Sequence, residues 1–159
     1  MKNEKQKVPT NSDLQFYWYL LEEMGPVLLY DMLALRQGIF VVEQSCIYQD
    51  LDGLDKSALH LLVRKSGKIV ACLRLLTTDS QYEGLRIGRV AVSAGSRSMG
   101  IARAMMHKVI EKAEQDFSTK IISLNAQTYL QEFYESIGFR ISGEPFLEDG
   151  IPHIEMLKK

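Results

Sequence analysis

The stretch Gly88-Arg-Val-Ala-Val-Ser-Ala-Gly-Ser-Arg-Ser-Met-Gly-Ile-Ala102 decides the fold, because a strand ends in it and an amphipathic helix begins. The start of a helix presents unpaired N–H groups and the positive end of the helix dipole, which together bind phosphate. Small residues at Gly100 and Ala102 let a diphosphate approach the backbone, and Arg97 can add a charge-assisted hydrogen bond. The stretch therefore predicts a phosphate site, with a plain strand-to-helix connection as the alternative.

On both sides of this stretch the apolar residues follow strand periods and helix periods in turn. They predict the order β-α-loop-β-β-β-α-β-α-β-β, with strands at 14–21, 58–65, 68–77, 85–93, 120–126, 139–142 and 151–157, and helices at 26–40, 99–117 and 128–137. Thr128 and Gln131 have the spacing of a capping box at the start of the last helix. We expect one α/β domain over residues 14–159, a mixed β-sheet of about six or seven strands flanked by three or four helices, after a flexible polar tail over residues 1–13.

Composition limits the class of protein. The chain has 159 residues, 46% of them hydrophobic and 25% charged, which fits one folded domain. Nineteen Lys and Arg against twenty Asp and Glu leave a net charge of -1, so no general field attracts nucleic acid or a lipid surface. The lysine-rich start lacks the apolar stretch of a signal peptide, and no segment reads as a membrane span. We expect a cytoplasmic protein in which Cys46 and Cys72 are reduced.

Two motifs resemble those of a known family. Arg97-x-x-Gly100-x-Ala102 after a strand is similar to the R/Q-x-x-G-x-G/A pyrophosphate motif of the GNAT superfamily of N-acetyltransferases. Further along, Asn125-Ala-Gln127 closes a strand and Phe133-Tyr-Glu-Ser-Ile-Gly-Phe139 lies on the next helix, as in that superfamily. Ser98 stands where many members have glycine, which would strain the turn if the position needs a positive φ.

Three further stretches look like the ElaA-like branch of this superfamily. They are Leu35-Arg36 with the run FVVEQSCIYQDLDGLD over residues 40–55, then His60, and then Glu148-Asp-Gly-Ile-Pro-His153. Together with the two motifs, they extend the resemblance over nearly the whole chain from residue 14 to residue 157.

The resemblance implies a GNAT-like fold in which a central strand pair, here 85–93 and 120–126, splays apart to bind acetyl-CoA. The positions that it assigns to acetyl-CoA are Val90, Ala91 and Val92 for the pantetheine arm, Arg97, Ser98, Met99, Gly100, Ile101 and Ala102 for the pyrophosphate, and Asn125 and Tyr134 near the sulfur.

The reaction that the resemblance implies is direct attack of a primary amine on the thioester. A backbone N–H of the splayed strand would stabilise the oxyanion, and Tyr134 would act as the acid for the departing thiolate. An alkyl amine is protonated at neutral pH, since its pKa is roughly 10.4, so it must lose a proton or bind in its minor neutral form. The candidate bases are Glu43, His60, Glu148, Asp149 and His153, of which Glu43 and His153 are placed first, and a water relay to Glu43 or Glu148 is an alternative. The residues expected to contact the acceptor are Gln44, His60, Glu148 and Asp149.

Several alternatives stay open at the level of sequence. The same fold could serve as a non-catalytic CoA-binding or partner-binding module, and the chain could be a monomer or a homodimer. The aspartates at 50, 52 and 55 could form an acidic rim that attracts a cationic amine, or they could be solvated turn residues. The histidines at 60, 107 and 153 do not cluster with the cysteines, so no metal site is predicted.

Overall fold

The computed structural model describes residues 13–77, 84–118 and 121–159, so the tail expected over residues 1–13 lies, apart from Asp13, outside the described residues. The elements are β1 Leu14–Leu20, α1 Pro26–Gln37, β2 Ala58–Lys65, β3 Lys68–Leu76, β4 Leu85–Val92, α2 Ile101–Asp116, β5 Ile122–Gln127, α3 Gln131–Glu135, β6 Arg140–Ile141, β7 Phe146–Glu148 and β8 Ile151–Lys158. A π-helical turn at Gly38–Glu43 follows α1. In these three ranges no helix has both the length and the apolar content needed to cross a bilayer.

The strands form one mixed sheet in the order β1-β2-β3-β4-β5-β8-β6, and β7 also pairs with β8. Neighbouring strands are antiparallel except β4 and β5, which run parallel. The helices α2 and α3 pack on one face of the sheet through residues such as Met105 and Tyr134. Helix α1 packs on the opposite face, where Met32 joins Leu62 and Cys72. The predicted fold class, a mixed α/β sheet with helices on its faces, is confirmed.

The two central parallel strands separate as predicted. Residues 85–87 of β4 pair with residues 122–124 of β5, and the pairing stops there within the described residues. Beyond this point β4 contains a β-bulge, where its register with β3 shifts between Cys72 and Arg74 and Arg89 has a φ of +53°. A bulge bends the strand that carries it. The bend therefore turns β4 away from β5 and opens the sheet between them.

Two local predictions differ from the structure. The stretch 144–150, which lies between two of the predicted strands, contains β7, and Asp149 and Gly150 (φ +51° and +77°) close a two-residue hairpin between β7 and β8. Within the described residues the sheet therefore has eight strands, against the six or seven expected. The capping box does not form, because a 3-10 turn over Thr128–Leu130 precedes α3 and moves the N-cap to Leu130, which has no side-chain acceptor.

Candidate functional site

A cleft of about 1170 Å³ opens where β4 and β5 separate. The π-helical turn after α1, the loop that follows it, the starts of α2 and α3, and the β7–β8 hairpin contribute its walls. It brings together most of the residues that the sequence singled out: Glu43, Gln44, Val90, Ala91, Val92, Arg97, Ser98, Gly100, Ile101, Ala102, Asn125, Tyr134, Glu148, Asp149 and His153.

The start of α2 forms one end of the cleft. Gly100, with a φ of +75°, immediately precedes the first helical residue, Ile101. Ser98 has a φ of +61°, so the turn does need the positive φ that glycine adopts more easily, at a cost of roughly 1–2 kcal/mol for a serine. A Cβ placed on Gly100 would meet no described atom within 4 Å, which leaves the space over this backbone open. An anion can therefore reach the first N–H groups of α2.

Arg97 reaches from this turn to two other groups that line the cleft. Its Nε donates to the carbonyl oxygen of Val92 at 3.1 Å, and its Nη2 lies 2.7 Å from a carboxylate oxygen of Glu43. The two side chains are 43% and 44% exposed, so water screens this ion pair and weakens it. Glu43, one of the two predicted bases, therefore faces a guanidinium, and Arg97 can exchange Glu43 for another anion at little cost.

Tyr134 lines the cleft from α3 while its ring is buried. The ring makes edge contacts with Phe133 and Phe139, at centroid distances of 5.0 and 6.0 Å, and the residue is only 5% exposed. Burial raises the pKa of Tyr134 to about 12, with a smaller contribution from Tyr129. The phenol therefore stays protonated at neutral pH and can donate a proton or a hydrogen bond.

His153 and Glu148 face each other across the β7–β8 hairpin. His153 Nδ1 lies 2.8 Å from the carbonyl oxygen of Ile151, and because a carbonyl only accepts, we assign the proton of the neutral ring to Nδ1. The lone pair on Nε2 then lies 3.9 Å from Glu148 Oε2. The imidazole stacks on Phe146 at a centroid distance of 6.0 Å, which fixes its plane. His153 Nε2 and the Glu148 carboxylate are both acceptors, so a donor such as a protonated amine can bind between them.

Asn125 is oriented by an arginine that the sequence did not single out. Arg86 Nη2 donates to Asn125 Oδ1 at 2.7 Å, which leaves the NH₂ group of Asn125 as a donor. Arg86 also contacts Ser123 and Glu155, at 3.3 and 3.4 Å. The four side chains share one face of β4, β5 and β8, since side chains on a strand alternate between faces. Of the four, Arg86 and Asn125 line the cleft.

Two predicted site residues are not brought to the cleft. His60 is 1% exposed, and its Nε2 lies 3.0 Å from the carbonyl oxygen of Asp55. Burial is the largest influence on His60 and lowers its pKa, so the ring is neutral at pH 7. The structure therefore places His60 in the interior, away from the cleft where a contact with the acceptor is expected. Met99 packs against the main core, with Sδ 3.6 Å from Lys65 Nζ, so its side chain does not line the cleft, although its backbone belongs to the turn before α2.

The three aspartates of the loop after α1 all pair with arginines, and Asp52 alone among them stays exposed and lines the cleft. Asp50 and Asp55 are buried, and both accept hydrogen bonds from Arg36, at 2.9 and 2.7 Å. The loop thus carries its negative charge inward, against the arginines Arg36, Arg74 and Arg89. Three arginines and three aspartates balance in charge, which lowers the cost of burying them.

Arg74 completes this cluster from β3. Its Nη1 and Nη2 donate to the two carboxylate oxygens of Asp52 at 2.7 and 2.8 Å, a forked pair. Burial alone would raise the pKa of Asp52, but hydrogen bonds from Arg74 and from the Leu54 N–H, with the charges of Arg74 and Arg89, lower it to about 2. Asp52 is therefore ionised at neutral pH.

Sequence reasoning missed the residues that line the cleft from inside the strands: Arg74, Arg86, Gly88, Arg89 and Gln127. A weak signal for two of them was present. Arg74 interrupts an apolar run that reads as a buried strand, and Arg86 alternates with Leu85 and Ile87. An arginine in such a position needs a partner, but the sequence does not say which one.

In residues 13–77, 84–118 and 121–159, no three His, Cys, Asp or Glu side chains gather as a metal site would require. Cys46 and Cys72 are free buried thiols. Burial raises the pKa of Cys72 to about 12, so it is an unreactive core residue.

The family described as an acetyltransferase (GNAT) domain matches residues 36–159. Protein ElaA of Escherichia coli is 41% identical over 139 residues, which cover 86% of this chain and 91% of that protein. Its crystal structure superposes with a TM-score of 0.86 and covers 92% of this chain and 99% of that chain. The chain is similar to a UPF0039 protein of Schizosaccharomyces pombe at 40% identity, over 91% of this chain and 97% of that protein. The crystal structure of an acyl-CoA N-acyltransferase from Pseudomonas aeruginosa superposes with a TM-score of 0.85 at 37% identity, over 92% of this chain and 99% of that chain.

Proposed function

Because the chain belongs to the acetyltransferase (GNAT) domain family, in which it is closely similar to ElaA, we propose that it transfers an acetyl group from acetyl-CoA to a primary amine. The observation that carries this proposal is the meeting, in one cleft, of the open helix start at Gly100, the separated strands β4 and β5, and the protonated phenol of Tyr134. The transfer is direct, with acetyl-CoA and the amine bound together.

The donor half of the cleft runs along β4 to the start of α2. The backbone of residues 90–92, which has no β5 partner among the described residues, pairs with the pantetheine arm as an added strand would. The N–H groups of residues 97–102 and the side chain of Arg97 hold the pyrophosphate. Asn125 donates its NH₂ group to the arm from β5, since Arg86 occupies its oxygen.

The chemical step needs a donor for the oxyanion and a donor for the sulfur. A backbone N–H of β4 on the side that leaves β5 stabilises the oxyanion as the amine adds to the thioester carbonyl. When the carbon–sulfur bond breaks, the phenol of Tyr134, which is protonated at neutral pH because its pKa is about 12, gives its proton to the thiolate. The proton that the attacking nitrogen loses as it becomes an amide then restores the phenol.

His153 is the better candidate for the base of the two that the sequence predicts. Its Nδ1 proton is held by the Ile151 carbonyl, so Nε2 faces the cleft side by side with Glu148 as an acceptor. Glu43, by contrast, is paired with Arg97. His153 therefore accepts the proton that the ammonium loses, and Glu148 and Asp149 favour the cationic form of the acceptor as it arrives.

The test compares the protein with its Tyr134→Phe variant. Calorimetric titration with acetyl-CoA is combined with thiol release measured across a panel of primary amines. We expect similar acetyl-CoA affinity for both proteins, because the ring stays packed, and a fall of about 10²-fold in kcat for the variant because the donor to the thiolate is lost.

Two outcomes would overturn parts of this proposal. Equal turnover by Tyr134→Phe would remove Tyr134 from the role of acid. Acetyl-CoA binding that an Arg97→Ala, Gly100→Trp variant abolishes, without turnover of any amine, would instead identify a CoA-binding module.

A further inference from the structure

The bulge in β4 is held in a strained conformation. Between the pairs Cys72–Ala91 and Arg74–Gly88, one residue of β3 lies opposite two residues of β4. One of these two, Arg89, has a φ of +53°, which is unfavourable for a residue with a long side chain. Backbone strain of this kind costs on the order of 1–3 kcal/mol and persists only where the surroundings over-determine the conformation.

The side chain of Arg89 supplies that constraint. Its Nε donates to Asp50 Oδ1 at 2.6 Å, and its Nη2 donates to the Asp50 carbonyl oxygen at 3.0 Å and to Asp52 Oδ2 at 3.2 Å. Its guanidinium also lies over the ring of Tyr48, 5.6 Å from the centroid. These contacts use two nitrogens and the flat face of the guanidinium, so rotation of the side chain would break several of them at once.

The residues that hold Arg89 are themselves fixed. Asp50 also accepts from Arg36 Nε at 2.9 Å and from the Tyr48 hydroxyl at 3.1 Å, and Arg36 is 1% exposed. Asp52 is held by the forked pair with Arg74 described above. The loop after α1 is thereby fastened to β4 at the residue where the strand bends.

We propose that Arg89 is a positioning residue, whose ion pairs with Asp50 and Asp52 hold the β4 bulge in the shape that aims the strand's backbone into the cleft. The inference rests on the proposed function, because it is the thioester carbonyl that needs this backbone in place. Misplacing such groups by about 1 Å costs up to about 10²-fold in rate. Arg89 itself forms no bond to the reacting atoms.

The decisive variant is Arg89→Gly. Glycine adopts a φ of +53° without strain, and Asp50 and Asp52 keep Arg36 and Arg74 as partners, so the fold is retained. We expect kcat to fall by about 10–100-fold with little change in acetyl-CoA affinity, since the pyrophosphate end is unaffected. Arg89→Lys, which keeps the charge but not the fork, should recover part of the rate.

Arg64→Ala is the matched control: Arg64 also stacks on a tyrosine, Tyr17 at 5.7 Å, but it lies in β2 outside the cleft lining.

Amide hydrogen exchange of residues 88–92 in the protein without ligand measures the stability of the bulge independently of activity. Faster exchange there in Arg89→Gly, and not in Arg64→Ala, supports the inference whether or not the protein turns over. Unchanged exchange together with unchanged kcat in Arg89→Gly would overturn it. If the parent protein turns over no amine while the variant exchanges faster, the proposed function fails and the positioning role of Arg89 stands.

Discussion

At the scale of single residues, the cleft separates two carboxylates that look alike in the sequence. Glu43 forms an ion pair with Arg97 near the start of α2, whereas Glu148 lies beside Nε2 of His153 in the β7–β8 hairpin. Under the proposed function the two partners indicate different roles: we expect Glu43 to balance a charge that the pyrophosphate takes over, and Glu148 to lie on the acceptor side.

Substitution of the two candidate bases distinguishes these roles. His153→Asn should lower kcat/KM for an alkyl amine at pH 7 by about 10²-fold, because the ammonium loses its proton acceptor. The deficit should shrink as the pH rises toward roughly 10.4, where the amine is increasingly neutral without help. Initial rates from pH 6.5 to 9.5 measure both effects.

The matched variant is Glu43→Gln, for which we expect a smaller loss in rate and somewhat tighter acetyl-CoA binding, since Arg97 is released from its exposed partner. A larger rate loss in Glu43→Gln than in His153→Asn would reverse the assignment of the base.

At the scale of the elements, the opening between β4 and β5 depends on how firmly the strands are joined below it. Leu85 N–H donates to the Ile121 carbonyl oxygen at 2.9 Å, next to Gly84, whose φ is +93°. A Cβ on Gly84 would overlap that same carbonyl oxygen. The parallel pairing therefore starts at a position that only glycine fits.

Gly84→Ala should lower the free energy of unfolding by about 3 kcal/mol, because it adds a backbone overlap to an unfavourable φ. Gly67→Ala is the control: Gly67 has a φ of +78° but no described atom within 4 Å of its Cβ, so only the φ cost of roughly 1–2 kcal/mol applies. Urea denaturation compares the two. Equal losses would mean that β5 moves aside to accept the methyl group.

The sequence predicts the local elements better than the long-range contacts between them. Residues 97–102 were assigned correctly to a helix start because turn and helix signals are local, carried by neighbours in the chain. The ion pairs that hold the loop are not local: Arg36 meets Asp50 from 14 residues away and Arg89 meets it from 39. The residues that flank each arginine give no indication that Asp50 is its partner. The strand β7 was missed because three residues are too few for a period to show, although the Asp149-Gly150 pair after it favours a hairpin.

At the scale of the whole molecule, the arginine–aspartate cluster ties α1, the following loop, β3 and β4 into one unit. Its six charges sum to zero only while the three carboxylates are ionised. Asp52 has a pKa of about 2 in the folded protein, against roughly 3.9 for an unperturbed aspartate. The pKa of Asp55 is lowered as well; burial opposes this, but Arg36 and Arg74 outweigh it.

Stability should therefore fall in acid over a defined range. A carboxylate whose pKa is lowered by folding contributes stability that is complete above its unfolded pKa and lost as the pH falls through its folded pKa. For Asp52 this places the loss between about pH 4 and pH 2. Urea melts at pH 6, 4, 3 and 2.5 should show a shallower acid decline for Asp52→Asn than for the parent protein. The lowered pKa of His60 also costs stability as the pH falls below about 6.5, where the unfolded chain takes up a proton before the folded one, but His60 is common to both proteins and its contribution cancels. Identical acid profiles would contradict the assignment.

The position of β8 has a consequence for how the chain is made. This strand, residues 151–158, lies between β5 and β6 and also pairs with β7, yet it is synthesised after all three. Until it has left the ribosome, β5 exposes an unpaired edge and the buried side chains Ile154 and Met156 are missing from the core. The nascent chain therefore passes through a stage with an open, aggregation-prone sheet edge, and every cleft residue on β5 is set in place only when the final strand closes it.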